Sequence, residues 1–134
     1  MTASVDANVL LRATLVQDED QSARAQALLE QPGAAYVVSD AAIIEFVFAL
    51  GHHYNLSRTQ ISDMVEAVLS VESLRCHRDL VLAAIAHFTS HPQLSFEDCL
   101  MGEQARDQNA LPLYTFDKKL ARQHTSARLV PAAG

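Results

Sequence analysis

The sequence is poor in several residue types, and each shortage excludes a class of protein. It has no tryptophan, 6% aromatic residues and only two cysteines. Two cysteines, Cys76 and Cys99, are too few for a disulfide framework, and their spacing is not that of metal ligands. We interpret both as small buried side chains in a reducing cytoplasm.

Long apolar runs are missing as well. No stretch approaches the roughly 20 apolar residues that a transmembrane helix needs. No basic segment precedes an apolar one at the N-terminus, so we expect no signal peptide and a cytoplasmic location. The length of 134 residues favours a single domain over residues 1–134, and a hydrophobic content of 49% is enough for a core.

Positive charge is in deficit. Lysine and arginine total 10 against 16 aspartate and glutamate residues, which gives a formal net charge of −6. This balance argues against a protein that coats nucleic acid by bulk electrostatic attraction. It is compatible with a protein that binds nucleic acid through a few local contacts. A cation site would explain part of the excess of acidic residues.

The pattern of apolar residues predicts short strands alternating with helices. A brief strand ends before Asp6, and further strands are predicted at 34–39, 73–76, 111–116 and 127–130. Helices are predicted between them, one of which opens with the capping box formed by Ser57 and Gln60. We therefore predict an α/β fold with a parallel sheet covered by helices on both faces.

Four acidic residues stand out, and each also has a purely structural explanation. Asp6 and Asp117 follow predicted strands, where each is able to cap the next helix. Asp98 lies three residues after Ser95 and is able to complete a capping box. Glu45 is the exception, because it is the one charged residue within an apolar helix predicted over 40–53. We expect that helix to be buried, so Glu45 needs a partner, a proton or a metal.

Four carboxylates brought together repel one another unless a cation joins them. Mg²⁺ and Mn²⁺ prefer hard oxygen ligands, and such a centre suits phosphodiester hydrolysis by metal-activated water without a protein nucleophile.

The sequence resembles the PIN-domain family in four motifs that span nearly the whole chain. They are SVDANVLLR at 4–12, IIEFV at 43–47, FEDCL at 96–100 and LYTFDKKLAR at 113–122. The chain size and the stretch 54–61 are most similar to VapC-type toxins of type II toxin–antitoxin modules.

This resemblance implies a PIN-like central sheet of about five short parallel strands. It implies a Mg²⁺- or Mn²⁺-dependent endoribonuclease, a homodimer, and a cognate small antitoxin. From the matching motifs, the resemblance implies that the metal ligands and catalytic residues are Asp6, Glu45, Asp98 and Asp117. Asn8 and Thr115 match supporting polar positions. Many members of the family have a further aspartate where this chain has Ser95. The resemblance therefore implies either weaker metal binding here, or firm binding of one ion and binding of a second only with substrate.

Basic residues near these motifs are candidates for RNA contact. Arg12 and Lys118 are close in sequence to the acids, although both also suit a solvated helix face. His87 and His91 have the spacing of zinc ligands on one helix, but no third ligand is evident in sequence. We interpret all six histidines as surface residues.

Two other functions remain open on the residues alone. One is a catalytically weak PIN-fold module that binds or regulates, which the loss of an acid at Ser95 favours mildly. The other is a phosphoryl-transfer receiver domain. That class needs two adjacent acids after the first strand, and Asp6 has no acidic neighbour.

Overall fold

A computed structural model describes residues 2–133 of the chain. Met1 and Gly134, at the two ends of the predicted domain, lie outside the described residues. The chain divides into two compact units, residues 1–78 and 79–134. Helices and parallel strands make up both units, which confirms the predicted α/β class.

The first unit holds a parallel sheet and four helices. Its elements are β1 (Thr2–Ser4), α1 (Ala7–Thr14), α2 (Glu19–Leu29), β2 (Ala35–Val37), α3 (Asp40–His52), α4 (Arg58–Leu69) and β3 (Leu74–Arg75). The strand order is β1-β2-β3, and all pairings are parallel. Each strand has only two or three residues, so the ladder is short and the helices supply most of the core.

The core of the first unit forms where α1, α3 and α4 meet. Helix α1 contacts α2, α3 and α4, and α3 contacts α4. Leu10, Phe46, Leu50 and Val65 are at most 1% exposed. This packing fixes the start of α1 and one face of α3, the elements that carry Asp6 and Glu45.

The second unit contains α5 (Arg78–Ser90, which begins at the last residue of the first unit), α6 (Phe96–Asp107), β4 (Leu113–Thr115), α7 (Lys118–Gln123) and β5 (Ala127–Leu129). Strands β4 and β5 pair in parallel, with α7 as the crossover between them. The five predicted strands are therefore all present, arranged as a ladder of three and a ladder of two.

Several local predictions are confirmed. The Ser57–Gln60 capping box forms in both directions at the start of α4. The minor strand near Leu74 and the short basic helix after Asp117 are also present. Element ends shift by a few residues: α1 ends at Thr14 instead of Val16, and α6 ends at Asp107 instead of about Asn109.

The prediction that α3 is buried on every side was wrong. One side of the helix, with Phe46 and Leu50, lies in the core, while Ala41, Glu45 and Phe48 are exposed. Apolar composition hid this difference, because Ala41 and Phe48 look like core residues in sequence. Glu45 is thus solvated, so the expectation that burial forces it to have a partner, a proton or a metal does not hold.

Candidate active site

Asp6 stands between β1 and α1 and caps the helix. Its Oδ1 accepts a hydrogen bond from the backbone N–H of Val9 at 3.1 Å. The residue is exposed. Capping uses only one of the two carboxylate oxygens, Oδ1. The structural role and a metal-binding role are therefore compatible on the same side chain.

Glu45 shares a cavity with Asp6. The cavity has a volume of about 570 Å³ and lies entirely within the first unit. Ser4, Ser39 and the apolar residues Val9 and Leu28 also line it. The start of α1 and the middle of α3 thus place two of the four predicted acids, Asp6 and Glu45, at one concave surface.

The other two acids belong to the second unit. Asp117 caps α7, where its Oδ1 accepts hydrogen bonds from the N–H groups of Lys119 at 2.9 Å and Leu120 at 3.2 Å. Thr115 supports this turn, because its Oγ1 accepts a hydrogen bond from the N–H of Asp117 at 2.9 Å. Thr115 therefore orients the acid from the end of β4.

Asp98 lies in the first turn of α6 and is half-buried. Ser95 caps that helix, and its Oγ accepts a hydrogen bond from the N–H of Asp98 at 3.1 Å. Ser95 therefore has a structural role in this chain, at the position where the PIN-domain pattern often has an acid.

None of the ion pairs within residues 2–133 involves Asp6, Glu45, Asp98 or Asp117. Structural acids on a surface commonly pair with nearby lysine or arginine, so four acids without such partners remain available for a cation. Their oxygen donors fit Mg²⁺ or Mn²⁺. Asp6 and Glu45 are the two of these acids that line one cavity.

The basic candidates occupy different surroundings. Arg12 is half-buried and lines a second cavity of about 550 Å³, which Asp6, Asn8 and Val9 also line. Lys118 is the first residue of α7 and is exposed.

A histidine cluster in the second unit was missed by the sequence reasoning. His87, Glu103 and His124 each place one ligand atom within 4.8 Å of the others. The interpretation of all histidines as surface residues was wrong, because His124 is 1% exposed. Its ring stacks on His87 at 4.2 Å, and His87 stacks on His91 at 4.0 Å. The residues come from α5, α6 and the end of α7, so no local spacing could have revealed them.

The tautomer of His124 argues against a metal in this cluster. Nδ1 lies 3.1 Å from the N–H of Ser126 and accepts its hydrogen bond. In the neutral ring the proton must then sit on Nε2, the atom that lies 3.6 Å from a Glu103 oxygen. A metal ligand needs a lone pair at that nitrogen. The atom is therefore a buried donor with no hydrogen bond among the described residues.

Burial lowers the pKa of His124, since the desolvated ring disfavours its charged form. The positive charges of His87 and Arg106 act in the same direction, while Glu103 and the Cys99 carbonyl oppose them. Burial of the ring therefore disfavours the charged form of His124 in the folded chain.

The cysteines show no catalytic features. Cys99 is fully buried, as expected, whereas Cys76 is only half-buried. Burial raises the pKa of the Cys76 thiol, and Asp40 adds to this while Arg78 opposes it. A thiol with a raised pKa is a poor nucleophile at neutral pH.

The chain belongs to the PIN-domain family: the family model matches residues 3–124 and so covers all four acidic motifs. It is also similar to a VapC ribonuclease of Aquifex aeolicus (strain VF5), with 27% identity over 94 residues that make up 70% of each chain. Among the described residues, no helix has both the length and the apolar character needed to cross a membrane.

Proposed function

We propose that this PIN domain is a Mg²⁺- or Mn²⁺-dependent endoribonuclease and the toxin of a toxin–antitoxin module. The observation that carries the proposal is the pair Asp6 and Glu45, which line one cavity without a basic partner among the described residues. The similarity to a VapC ribonuclease supports RNA as the substrate.

The proposed catalytic and metal-binding set is Asp6, Glu45, Asp98 and Asp117. The extent of the family match, which includes all four, supports treating them as one set. Asp6 and Asp98 are the firmest ligands in this proposal, and Asp117 completes the set. Glu45 binds the cation or orients the attacking water. Asn8, Thr115 and Ser95 support these acids.

A cation held by these acids would supply an activated water and would stabilise the leaving oxygen. The protein's own part is to hold the acids rigidly. Asp6 and Asp117 are fixed by hydrogen bonds to helix N-termini, and Thr115 fixes the turn before Asp117. Preorganised ligands lower the reorganisation that metal binding and reaction require.

Arg12 and Lys118 are the proposed contacts to RNA phosphates. Both sit close in sequence to a proposed ligand, and both are cations in a chain with a net charge of −6. Contacts of this kind position the RNA backbone and carry no sequence information by themselves.

The proposed partners are a small cognate antitoxin and a second copy of the chain, with action in the cytoplasm. The relation to a VapC ribonuclease supports the antitoxin, the dimer is what the family resemblance implies, and the two free cysteines fit a reducing compartment. Light scattering of the purified protein, with and without the product of a short neighbouring gene, tests both assemblies.

The chemical test uses an RNA that the protein cleaves. Metal-activated water leaves cleavage independent of the neighbouring 2′-hydroxyl, so a single 2′-deoxy substitution at the cleaved position should preserve the rate. Removal of divalent ions by EDTA should abolish cleavage, and Mn²⁺ should restore it. Cleavage that persists in EDTA, or that requires the 2′-hydroxyl, would contradict the proposal. Poor Mn²⁺ binding would favour the non-catalytic module instead.

A further inference from the structure

A second cavity adjoins the one that holds Asp6 and Glu45. The two cavities share Asp6, Val9 and Leu28 as lining residues. The second has a volume of about 550 Å³ and opens between α1 and α2. We call the two adjoining cavities the groove; Asp6 lines both of them and Glu45 lines only the first.

The second cavity of the groove has two basic lining residues. Arg12, from α1, and Arg24, from α2, line the second cavity and do not line the first. In a chain with 10 basic and 16 acidic residues, two arginines in the cavity next to the acids are a local reversal of charge. An anion in this groove meets favourable charge only on the Arg12 side.

Arg12 is held in place by neutral groups. Its Nε donates to Oε1 of Gln21 at 2.7 Å, and its Nη1 donates to the Tyr54 hydroxyl at 3.4 Å. It takes part in none of the ion pairs within residues 2–133. The guanidinium is thus oriented without being neutralised, and several of its N–H groups remain available.

Arg24 has a different status. It pairs with Asp20 at 3.6 Å, but both side chains are 78% exposed. Such an exposed pair is weak, so Arg24 is able to leave Asp20 for a stronger anion. Arg12 provides a fixed contact, and Arg24 provides a mobile one.

We infer that Arg12, oriented by Gln21 and Tyr54, forms a subsite for a backbone phosphate of single-stranded RNA, one that flanks the phosphate at the acidic cavity. Guanidinium binds phosphate oxygens through paired N–H groups, which suits a planar cation already fixed in orientation. Arg24 closes on the same phosphate. This inference rests on the proposed ribonuclease function and adds a specific place for the RNA backbone.

The experiment measures RNA binding in the cleavage-deficient Asp6→Asn background. The dissociation constant for a single-stranded oligonucleotide is measured across a range of salt, with and without Arg12→Gln. Loss of one phosphate contact should reduce the slope of log affinity against log salt by about 0.7. Affinity at low salt should fall about tenfold. Arg128→Gln is the control, because it removes the same charge from an exposed position outside both cavities.

A second pair of variants separates orientation from charge. Tyr54→Phe and Gln21→Ala keep the Arg12 charge but remove its hydrogen-bond acceptors. Both should raise KM for RNA in the otherwise wild-type protein while kcat changes less than twofold. Thermal unfolding of each variant identifies any loss that comes from misfolding.

The outcomes are distinguishable. An unchanged salt slope for a folded Arg12→Gln protein, in a chain that still binds RNA, overturns the subsite and leaves the ribonuclease intact. Failure of the parent protein to bind or cleave any RNA overturns the proposed function and the subsite together. If Arg12→Gln weakens binding of a polyglutamate peptide and leaves RNA binding unchanged, the groove takes an acidic peptide, and the RNA subsite is wrong.

Discussion

Asp6 combines a capping role with a proposed catalytic role on one side chain. The hydrogen bond from the N–H of Val9 to Oδ1 holds the carboxylate at the start of α1, and Oδ2 takes no part in this bond. Asparagine caps helices about as well as aspartate, whereas alanine does not. The two roles can therefore be separated by choice of substitution.

We predict that Asp6→Asn has nearly the wild-type free energy of unfolding and that the free energy of unfolding of Asp6→Ala is lower by about 1 kcal/mol. Chemical denaturation of the three proteins measures this difference. Equal losses in both variants would show that the carboxylate charge, and not the cap, stabilises α1.

Ser95 is the position where this chain departs from the PIN-domain pattern. Its hydroxyl caps α6 next to Asp98. Aspartate is an equally good N-cap, so Ser95→Asp should keep the helix and add a carboxylate beside the proposed ligand. We predict a several-fold lower Mn²⁺ concentration for half-maximal cleavage. Ser57→Asp, at the capping position of α4, is the matched control and should leave the metal requirement unchanged.

At the scale of elements, Gly102 in α6 lies against the ring of His124, the residue that follows α7. A Cβ at Gly102 would overlap the ring of His124. We predict that Gly102→Ala lowers the free energy of unfolding by about 1–3 kcal/mol, as overpacking typically does.

Gly51→Ala is the control for this prediction. A Cβ at Gly51 would lie 3.5 Å from Cδ1 of Ile61, an ordinary contact, and alanine favours helix. This variant should be stabilised by about 0.5–1 kcal/mol. A Gly102→Ala protein as stable as wild type would show that the ring of His124 is free to move aside.

The same cluster predicts a pH dependence of stability. The folded state lowers the pKa of His124 below the ordinary value of 6.5. Below pH 6.5 the unfolded chain binds a proton at His124 more readily than the folded chain does. The stability that the neutral ring contributes is therefore complete above pH 6.5 and is lost as the pH falls through the lower pKa of the folded state. His87, Glu103 and Arg106 face the ring, and His91 stacks behind His87.

We predict that the thermal midpoint of wild type falls between pH 7.5 and 5 by more than that of His124→Gln. The difference between the two proteins isolates this ring from other titrating groups. Parallel curves for the two proteins would contradict a buried neutral His124.

The helices and strands also show which features could be predicted from the sequence and which could not. Local signals, such as the capping box at Ser57 and Gln60 or the Asp117 cap, were predictable because the interacting atoms lie within one turn. The exposed face of α3 was not, because packing against α1 and α4 decides which side of an apolar helix is covered. The His124 cluster joins residues 21 and 37 positions apart, and helical spacing says nothing about such contacts.

On the scale of the whole molecule, the acidic net charge and the proposed RNA substrate are compatible. A charge of −6 weakens general attraction to RNA. In the proposed function, Arg12 and Lys118 supply local positive charge for binding RNA, and the choice of target depends on local contacts more than on general electrostatic attraction. The four acidic motifs were predictable because each is a short local pattern, whereas the placement of Asp6 and Glu45 at one cavity depends on the packing of α1 on α3.

The most direct test of the account is cleavage of RNA by wild type and Asp6→Asn in the presence of Mn²⁺. Both proteins should fold equally well, since asparagine keeps the cap. We predict that wild type cleaves, that Asp6→Asn is slower by at least about a hundredfold, and that Glu45→Gln shows a comparable loss while Glu66→Gln, an exposed acid on α4, does not. Cleavage by Asp6→Asn at the wild-type rate would contradict the assignment of Asp6 as a metal ligand and the mechanism built on it.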